Sequence, residues 1–332
     1  MGPLPETSLI ITAHRHGPML EKCLDAVAAL DPAPGEAIVV VDGNDQTVAK
    51  SAQRRGFETI VLPNAPGVSA SRNAGAARAK GIFLLFLDSD VVPRRDHVAK
   101  AVSALGTIPG AVAAFGCYDD SPAAPGVVSR YRNLLHHFTH QHGNRDAQTF
   151  WAACGICDAE IFRNAGGFDE RYRQPSIEDI ELGYRLRRAG HRLALDPSWQ
   201  IKHLKKWTWR DLVFTDIARR AIPWTLLLLR EGRLDNDLNI DTRSRWSALL
   251  VVGALASLPA ALFSPWSLSL PLACTGVAVW LNRGFYRFLA AKGGRAFAAA
   301  SVPLHLFYYL AAVIGYLAAR VLSLAPSRGR RN

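Results

Sequence analysis

The sequence predicts an α/β domain with a mainly parallel sheet, followed by a C-terminal α-helical membrane domain. Three observations lead there. Up to about Asn239 short apolar runs are broken by charge, as in a water-facing globular domain. Within that part, continuous apolar runs of strand length alternate with segments of helical spacing, the pattern of a sheet covered on both faces. Beyond Arg245 the chain is mostly Ala, Leu, Val and Ser with few acids, a composition shift that marks a second domain.

The elements follow in order. Ser8 to Ala13 (SLIITA) reads as a buried strand. Met19 to Leu30 is helical, with Leu20, Leu24, Val27 and Leu30 on one face. AIVVV is the second strand and ends at Asp42. A helix over Thr47 to Arg55, a strand over Glu58 to Leu62 and an Ala-rich helix over Ser69 to Lys80 come next. IFLLFL is the fourth strand and runs into Asp88-Ser89-Asp90. In such sheets ligands bind at the carboxyl ends of strands. Three strands end there in polar groups: Thr12 and His14, then Asp42, then Asp88 and Asp90. One site is expected at that edge; turn chemistry is the competing explanation, since acids after strands often cap turns.

The formal net charge of +11 suits either nucleic acid or an anionic membrane surface. The aromatics beside the later basic runs favour the membrane, so no nucleic-acid partner is expected. The cysteine count is odd and the spacing irregular, which implies no disulfide framework. Cys154-Gly-Ile-Cys157 lacks the second pair that a zinc site wants, and it reads as small buried residues lining a pocket. Met1 to Ser8 has neither the basic nor the apolar region of a secretory signal, and Glu6 breaks the myristoylation pattern. The front domain is therefore expected on the cytosolic side.

Two carboxylates separated by one residue at a strand end, Asp88 and Asp90, can face one hard cation. Mg²⁺ and Mn²⁺ take oxygen ligands, often one or two carboxylates completed by substrate phosphates. Such a cation neutralises a departing diphosphate. A capped turn is the plain alternative for this short motif.

The context extends beyond the pair. Gly67-Val-Ser-Ala-Ser-Arg-Asn-Ala-Gly-Ala-Ala-Arg-Ala-Lys-Gly81, followed by IFLLFLDSD, resembles the family 2 glycosyltransferases of the GT-A fold. Gly166-Gly-Phe-Asp-Glu170 and Glu178-Asp-Ile-Glu-Leu-Gly-Tyr-Arg-Leu-Arg-Arg-Ala-Gly190 resemble later motifs of the same family, so the likeness covers roughly Ser8 to His203. It implies a nucleotide-sugar-binding GT-A domain and an inverting transfer dependent on Mg²⁺ or Mn²⁺. By position it implies that Asp42 contacts the nucleotide base and that Arg72 lines the nucleotide pocket. Asp88 and Asp90 fall on the metal and nucleotide-sugar acids. Asp179, beside Glu178, falls on the catalytic base. His203 falls on the late histidine that completes the metal or diphosphate site. The first strand departs from the family pattern, running into Thr12-Ala-His-Arg15 where Pro-x-Tyr-Asn is usual, and the loop after Asp42 is shorter. Both regions touch base and ribose, so the nucleotide's identity stays open. The Q-x-x-R-W motif of processive relatives is missing, which disfavours repeated chain extension.

An inverting transfer needs a base for the acceptor proton and positive charge for the leaving diphosphate. Asp179 stands at the start of a helix, where the dipole also favours an acid for purely structural reasons. The histidines at 136, 137, 140 and 142 lack ligand spacing and read as part of an acceptor-side helix or loop. A non-catalytic membrane scaffold that retains the fold is the competing function; intact Asp88, Asp90 and Asp179 favour the enzyme.

The expected domain plan is residues 1–206 for the transferase domain, 207–245 for an amphipathic interfacial helix and linker, 246–325 for two to three spans, and 326–332 for a basic tail. Trp207 to Arg230 mixes aromatics and arginines in the manner of an interfacial helix. Ser247–Phe263 and Ser267–Leu281 read as a tight hairpin, and Phe297–Leu324 is long enough to span outright. Arg283, Arg287, Lys292 and Arg295 place the linker between them in the cytosol. A third full span puts Arg328, Arg330 and Arg331 outside, against the same rule; the alternative is a bend at Gly315. The acceptor is expected to be a lipid or lipid-linked group at the membrane face.

Overall fold

The computed structural model describes residues 4–232 and 236–324. The expectations placed on residues 1–3 and on the basic tail 326–332 lie outside the described residues. The chain divides into two compact units, one of residues 1–125 and 136–206 and the other of residues 126–135 and 207–332.

The first unit opens with β1 (Leu4–Ala13), α1 (Pro18–Ala28), β2 (Pro34–Asp42), α2 (Gln46–Gln53), β3 (Glu58–Leu62), α3 (Val68–Arg78) and β4 (Phe83–Asp88). These strands form the parallel half of the sheet, in the order β3-β2-β1-β4. Then come β5 (Val91–Pro93), α4 (His97–Leu105), β6 (Ala111–Tyr118), α5 (Val127–His142), β7 (Asp146–Ala147), β8 (Cys154–Asp158), α6 (Ala159–Asn164), α7 (Glu178–Arg188) and β9 (Arg192–His203). The sheet continues β4-β8-β6-β9-β5, with β8 antiparallel to both its neighbours, β9 parallel to β6, and β7 paired to β9. The expected GT-A-like α/β domain is thus present, with its sheet parallel through β4 and mixed from β8 on.

The apolar runs of β1, β2 and β4 have no exposure because both faces are covered: Leu9 to Ile11, Ile38 to Val41 and Leu84 to Leu87 are all buried. On one face Phe86 meets Phe168 edge-on at 5.2 Å and Phe162 at 5.3 Å. Leu85 and Leu87 join the cluster on the opposite face with Leu24, Val48 and Trp199. At about 25 cal/mol per Å² of apolar surface, burial of these runs is what holds the sheet rigid. The register sets Thr12 opposite Asp88, so the carboxyl ends of β1 and β4 finish level with one another. Chain order reverses between these two strands, which is where an α/β sheet opens a crevice for ligands.

Cys154 and Cys157 are buried free thiols on β8. Three positions apart on a strand, they point to opposite faces and cannot converge on one ion.

The second unit contains the beginning of α5 and a continuous helical stretch made of α8 (Trp209–Phe214), a π-helical segment (Thr215–Ala221) and α9 (Ile222–Glu231). Thr208 and Asp211 cap it reciprocally. Its inner face is Leu212, Asp216, Trp224 and Leu227, while Trp209 and Phe214 remain exposed. Arg132 pairs with Asp216 at 2.8 Å in a buried setting. Next follow α10 (Thr242–Ser257), α11 (Ser269–Leu281) and α12 (Arg283–Leu324). Asn282 donates to Ser247 Oγ at 2.8 Å and accepts from the Tyr309 hydroxyl at 2.9 Å, tying the three helices together.

Two segments here are long and apolar enough to cross a membrane, Thr242–Leu262 and Arg283–Leu324; Pro265–Leu281 is shorter. The stretch from Arg283 to Arg295, whose charges led to its expected place on the cytosolic side, is helical. The helix is interrupted at Gly294, where φ is +83°, and runs on unbroken through Gly315, which packs against Ala221. The bend offered as an alternative at Gly315 is therefore not seen; the interruption at Gly294 lies ahead of that span.

Candidate active site

The site grows from α3. Gly67 sits just before this helix with φ +107°, and its amide donates to Asp42 Oδ1 at 3.0 Å. An added Cβ at Gly67 falls 2.2 Å from the Arg173 carbonyl oxygen, so only glycine lets the chain turn there. That turn holds the Asp42 carboxylate at the end of β2. His14, on the exposed loop after β1, donates from Nδ1 to the Asp42 carbonyl at 2.6 Å. Thr12 is half-buried beside Asp88.

One turn into α3, Arg72 is buried, and its guanidinium reaches two acids. It donates to Asp88 Oδ1 at 2.9 Å and to Glu178 Oε1 at 2.7 Å. The other Glu178 oxygen accepts from the Ser176 amide at 2.8 Å. One cation therefore joins the end of β4 to the start of α7. Burial, opposed by Arg72 and assisted by Asp90, pushes the Asp88 carboxyl up.

Asp179 follows Glu178. Its Oδ2 accepts from the Ala152 amide at 3.2 Å and its Oδ1 from the Ile180 amide at 2.8 Å. Burial and the neighbouring Glu178 charge push this carboxyl up to about 7, against the opposing pull of Arg72 and the two amides. A carboxylate with that value accepts a proton near neutral pH.

His203, at the end of β9, is buried and pairs in register with Val91. Its Nε2 lies 3.6 Å from Asp90 Oδ2. Burial pushes the Asp90 carboxyl up, but the facing His203 imidazole and Lys205 outweigh it and hold the carboxyl below its ordinary value. Among the described residues no group of three or more His, Cys, Asp or Glu side chains is gathered to hold a metal ion. A carboxylate and an imidazole facing each other suit a cation that completes its shell with substrate phosphates and water, as Mg²⁺ and Mn²⁺ do.

The structure thus gathers Arg72, Asp88 and Glu178 in one network and pairs Asp90 with His203; Asp42 and His14 meet one strand away. Sequence reading missed the rings around His203. Tyr118, at the end of β6, stacks on His203 with centroids 4.2 Å apart and planes 9° apart. Trp151 meets Tyr118 edge-on at 4.9 Å, and His136 lies 4.4 Å from Tyr118. The apolar run before Tyr118 (AVAAFGC) was the available signal, because a strand of that length delivers its last side chain to the sheet edge. The other histidines of α5 serve the backbone: His137 donates to the Tyr118 carbonyl at 2.8 Å and His140 to that of Gly116 at 3.1 Å.

Residues 8–165 match the family model described as Glycosyl transferase family 2. The chain is 31% identical over 208 residues to the pre-mycofactocin glycosyltransferase of Mycobacterium tuberculosis, an alignment covering 56% of this chain and 40% of that one. It is 28% identical over 236 residues to the validoxylamine A glucosyltransferase of Streptomyces hygroscopicus subsp. limoneus, covering 60% of this chain and 52% of the relative. The chain thus spans about half or less of the length of these two relatives. A mannosyltransferase from Pyrobaculum calidifontis, solved in complex with GDP-Man and Mn²⁺, superposes with a TM-score of 0.57 at 16% identity, over 95% of this chain and 89% of that one. The chain therefore carries a glycosyl transferase family 2 domain with a GT-A-like fold.

Proposed function

We propose that this protein is an inverting glycosyltransferase that moves a sugar from a nucleoside-diphosphate donor to a hydroxyl of a membrane-associated acceptor, a lipid or lipid-linked group. The observation that carries the reading is the Arg72 bridge. It ties the strand end bearing Asp88 and Asp90 to the helix start bearing Asp179.

In the proposed reaction Asp179 removes the proton of the acceptor hydroxyl. The acceptor oxygen forms a bond to the anomeric carbon on the face opposite the diphosphate. The bond from that carbon to the diphosphate oxygen breaks, and its electron pair leaves with the nucleoside diphosphate. Asp42, Thr12 at the end of β1 and His14 in the loop after it hold the base and ribose. Glu178 fixes Arg72, which orients Asp88 toward the donor. Asp90 and His203 would hold a divalent cation, which when bound supplies charge neutralisation for the leaving group. The membrane part of the proposal rests on the second unit, where Leu262, Phe263, Trp266 and Trp280 present exposed apolar surface and the Arg283 guanidinium lies over the Trp280 ring. The transferase domain faces the cytosol in this reading.

The test is Asp179→Asn in the full-length protein, supplied with a panel of nucleotide sugars and a membrane extract. Transfer falls by about a hundred- to ten-thousand-fold while donor binding, followed by calorimetry, stays within about threefold. Turnover like that of the parent protein places the base elsewhere.

A further inference from the structure

We infer that Tyr118 is a positioning residue that sets the plane of the His203 imidazole and so its aim at the cation site; this rests on the proposed role of His203. An imidazole can rotate about its bond to the backbone-bearing carbon, and only one orientation points Nε2 at Asp90. Two constraints fix the backbone end of His203. It is paired with Val91 across the β5–β9 ladder, and the next residue, Leu204, donates its amide to the Asp90 carbonyl at 2.9 Å. Neither constraint fixes the ring. Tyr118 does, because its face lies flat on the imidazole, 4.2 Å away at 9°. Parallel rings at that separation resist rotation, since turning the imidazole drives its edge into the phenol face.

Tyr118 is itself wedged. Trp151 stands edge-on to it at 87° and His136 packs at 4.4 Å. His136 in turn lies 4.5 Å from Trp151, closing the group of rings. The Tyr118 backbone is held by the β6–β9 ladder, in register with Ile201, two residues before His203. The ring group also reaches the other half of the site, because Trp151 precedes Ala152, whose amide holds Asp179. None of these rings supplies a metal ligand. Their contribution is orientation of the one that does, the part that surrounding groups commonly play for a ligating histidine.

The experiment measures Mn²⁺ binding to the full-length protein by electron paramagnetic resonance, with Mn²⁺ alone and with GDP or UDP added. The nitrogen coupling of a bound imidazole is recorded by pulsed methods. Four proteins are compared: the parent, His203→Ala, Tyr118→Met and Tyr118→Phe, each checked for folding by circular dichroism. The expected result is loss of the nitrogen coupling in His203→Ala. Tyr118→Met weakens Mn²⁺ binding by about tenfold or more and diminishes or broadens the coupling. Tyr118→Phe keeps the ring face and restores both. Tyr118→Gln takes the place of Tyr118→Met if the latter does not fold. Parent-like binding and coupling in the ringless variant, with His203→Ala impaired, overturns the inference and leaves the role of His203 standing. Parent-like binding in His203→Ala overturns both.

Discussion

Replacing Arg72 with Met removes the guanidinium shared by Asp88 and Glu178 while keeping most of the volume of its stem. The two acids are not equally exposed. The Glu178 side chain is 4% accessible and that of Asp88 33%, so water can resolvate Asp88 but not Glu178. Removing one partner of a buried pair costs about 3–5 kcal/mol. We assign that cost almost entirely to Glu178 and discount the Asp88 half for solvent screening. A loss of this size is a large part of the ~5–15 kcal/mol by which domains of this kind are stable. Urea denaturation of Arg72→Met at pH 8 reads this penalty, with the slope against denaturant unchanged. A penalty below about 1 kcal/mol refutes the bridge as the element joining β4 to α7.

Three further outcomes follow from two buried titrating groups. The rate of transfer should fall about tenfold per pH unit below an apparent value near 7, set by Asp179, and a profile flat from pH 5.5 to 8 would remove Asp179 from the role of base. The same raised value makes the Asp179 contribution to stability fade as pH rises through about 7, so Asp179→Asn should unfold at a higher denaturant concentration than the parent at pH 8. His97 is buried and accepts from Trp199 Nε1 at 2.9 Å, and burial holds its ring down to about 3. Its lowered value means that stability is present above the unfolded value of 6.5 and drains away as pH falls toward 3, by roughly 2 kcal/mol at pH 5. His97→Gln should flatten that part of the acid denaturation curve, and an unchanged curve would show that the acid loss arises elsewhere.

The parallel half of the sheet was legible because its strands are continuous apolar runs, two of which end in acids, a pattern local to each segment. The other half was harder. β9 runs for 12 residues, but only Arg192 to Leu195 reads as a strand, since Pro197 breaks the local pattern. The fold accommodates that proline at an irregularity in the β6–β9 ladder, between Phe115 and Cys117, where a missing amide costs nothing to the pairing. The site divides in the same way. Asp88 and Asp90 were visible as types at a spacing, Asp42 as a strand end, and Asp179 only through the family resemblance. What Arg72 does was not, because its partners lie 16 and 106 residues away and nothing local announces them. Tyr118 was marked only by the apolar run before it; its meaning comes from a sheet that sets it beside a residue 85 positions later.

The two halves of the site have been driven apart electrostatically by different neighbours. Asp90 keeps its charge because an imidazole and Lys205 face it, outweighing its burial. Asp179 gives up part of its acidity because it is enclosed and sits next to Glu178. Environments that separate the affinities of two carboxyls for a proton also separate their tasks, one remaining an anion and the other exchanging a proton. Arg72 governs how far the separation goes. It neutralises Glu178 and pulls Asp179 down, whereas burial and the Glu178 charge push Asp179 up. With Arg72 in place, the Asp179 carboxyl rests near neutrality, where it can either take up or release a proton. The same guanidinium fixes Asp88 at the strand end. The helix motif and the strand motif, far apart in sequence, are therefore joined, with a single cation setting both the geometry of Asp88 and the proton affinity of Asp179.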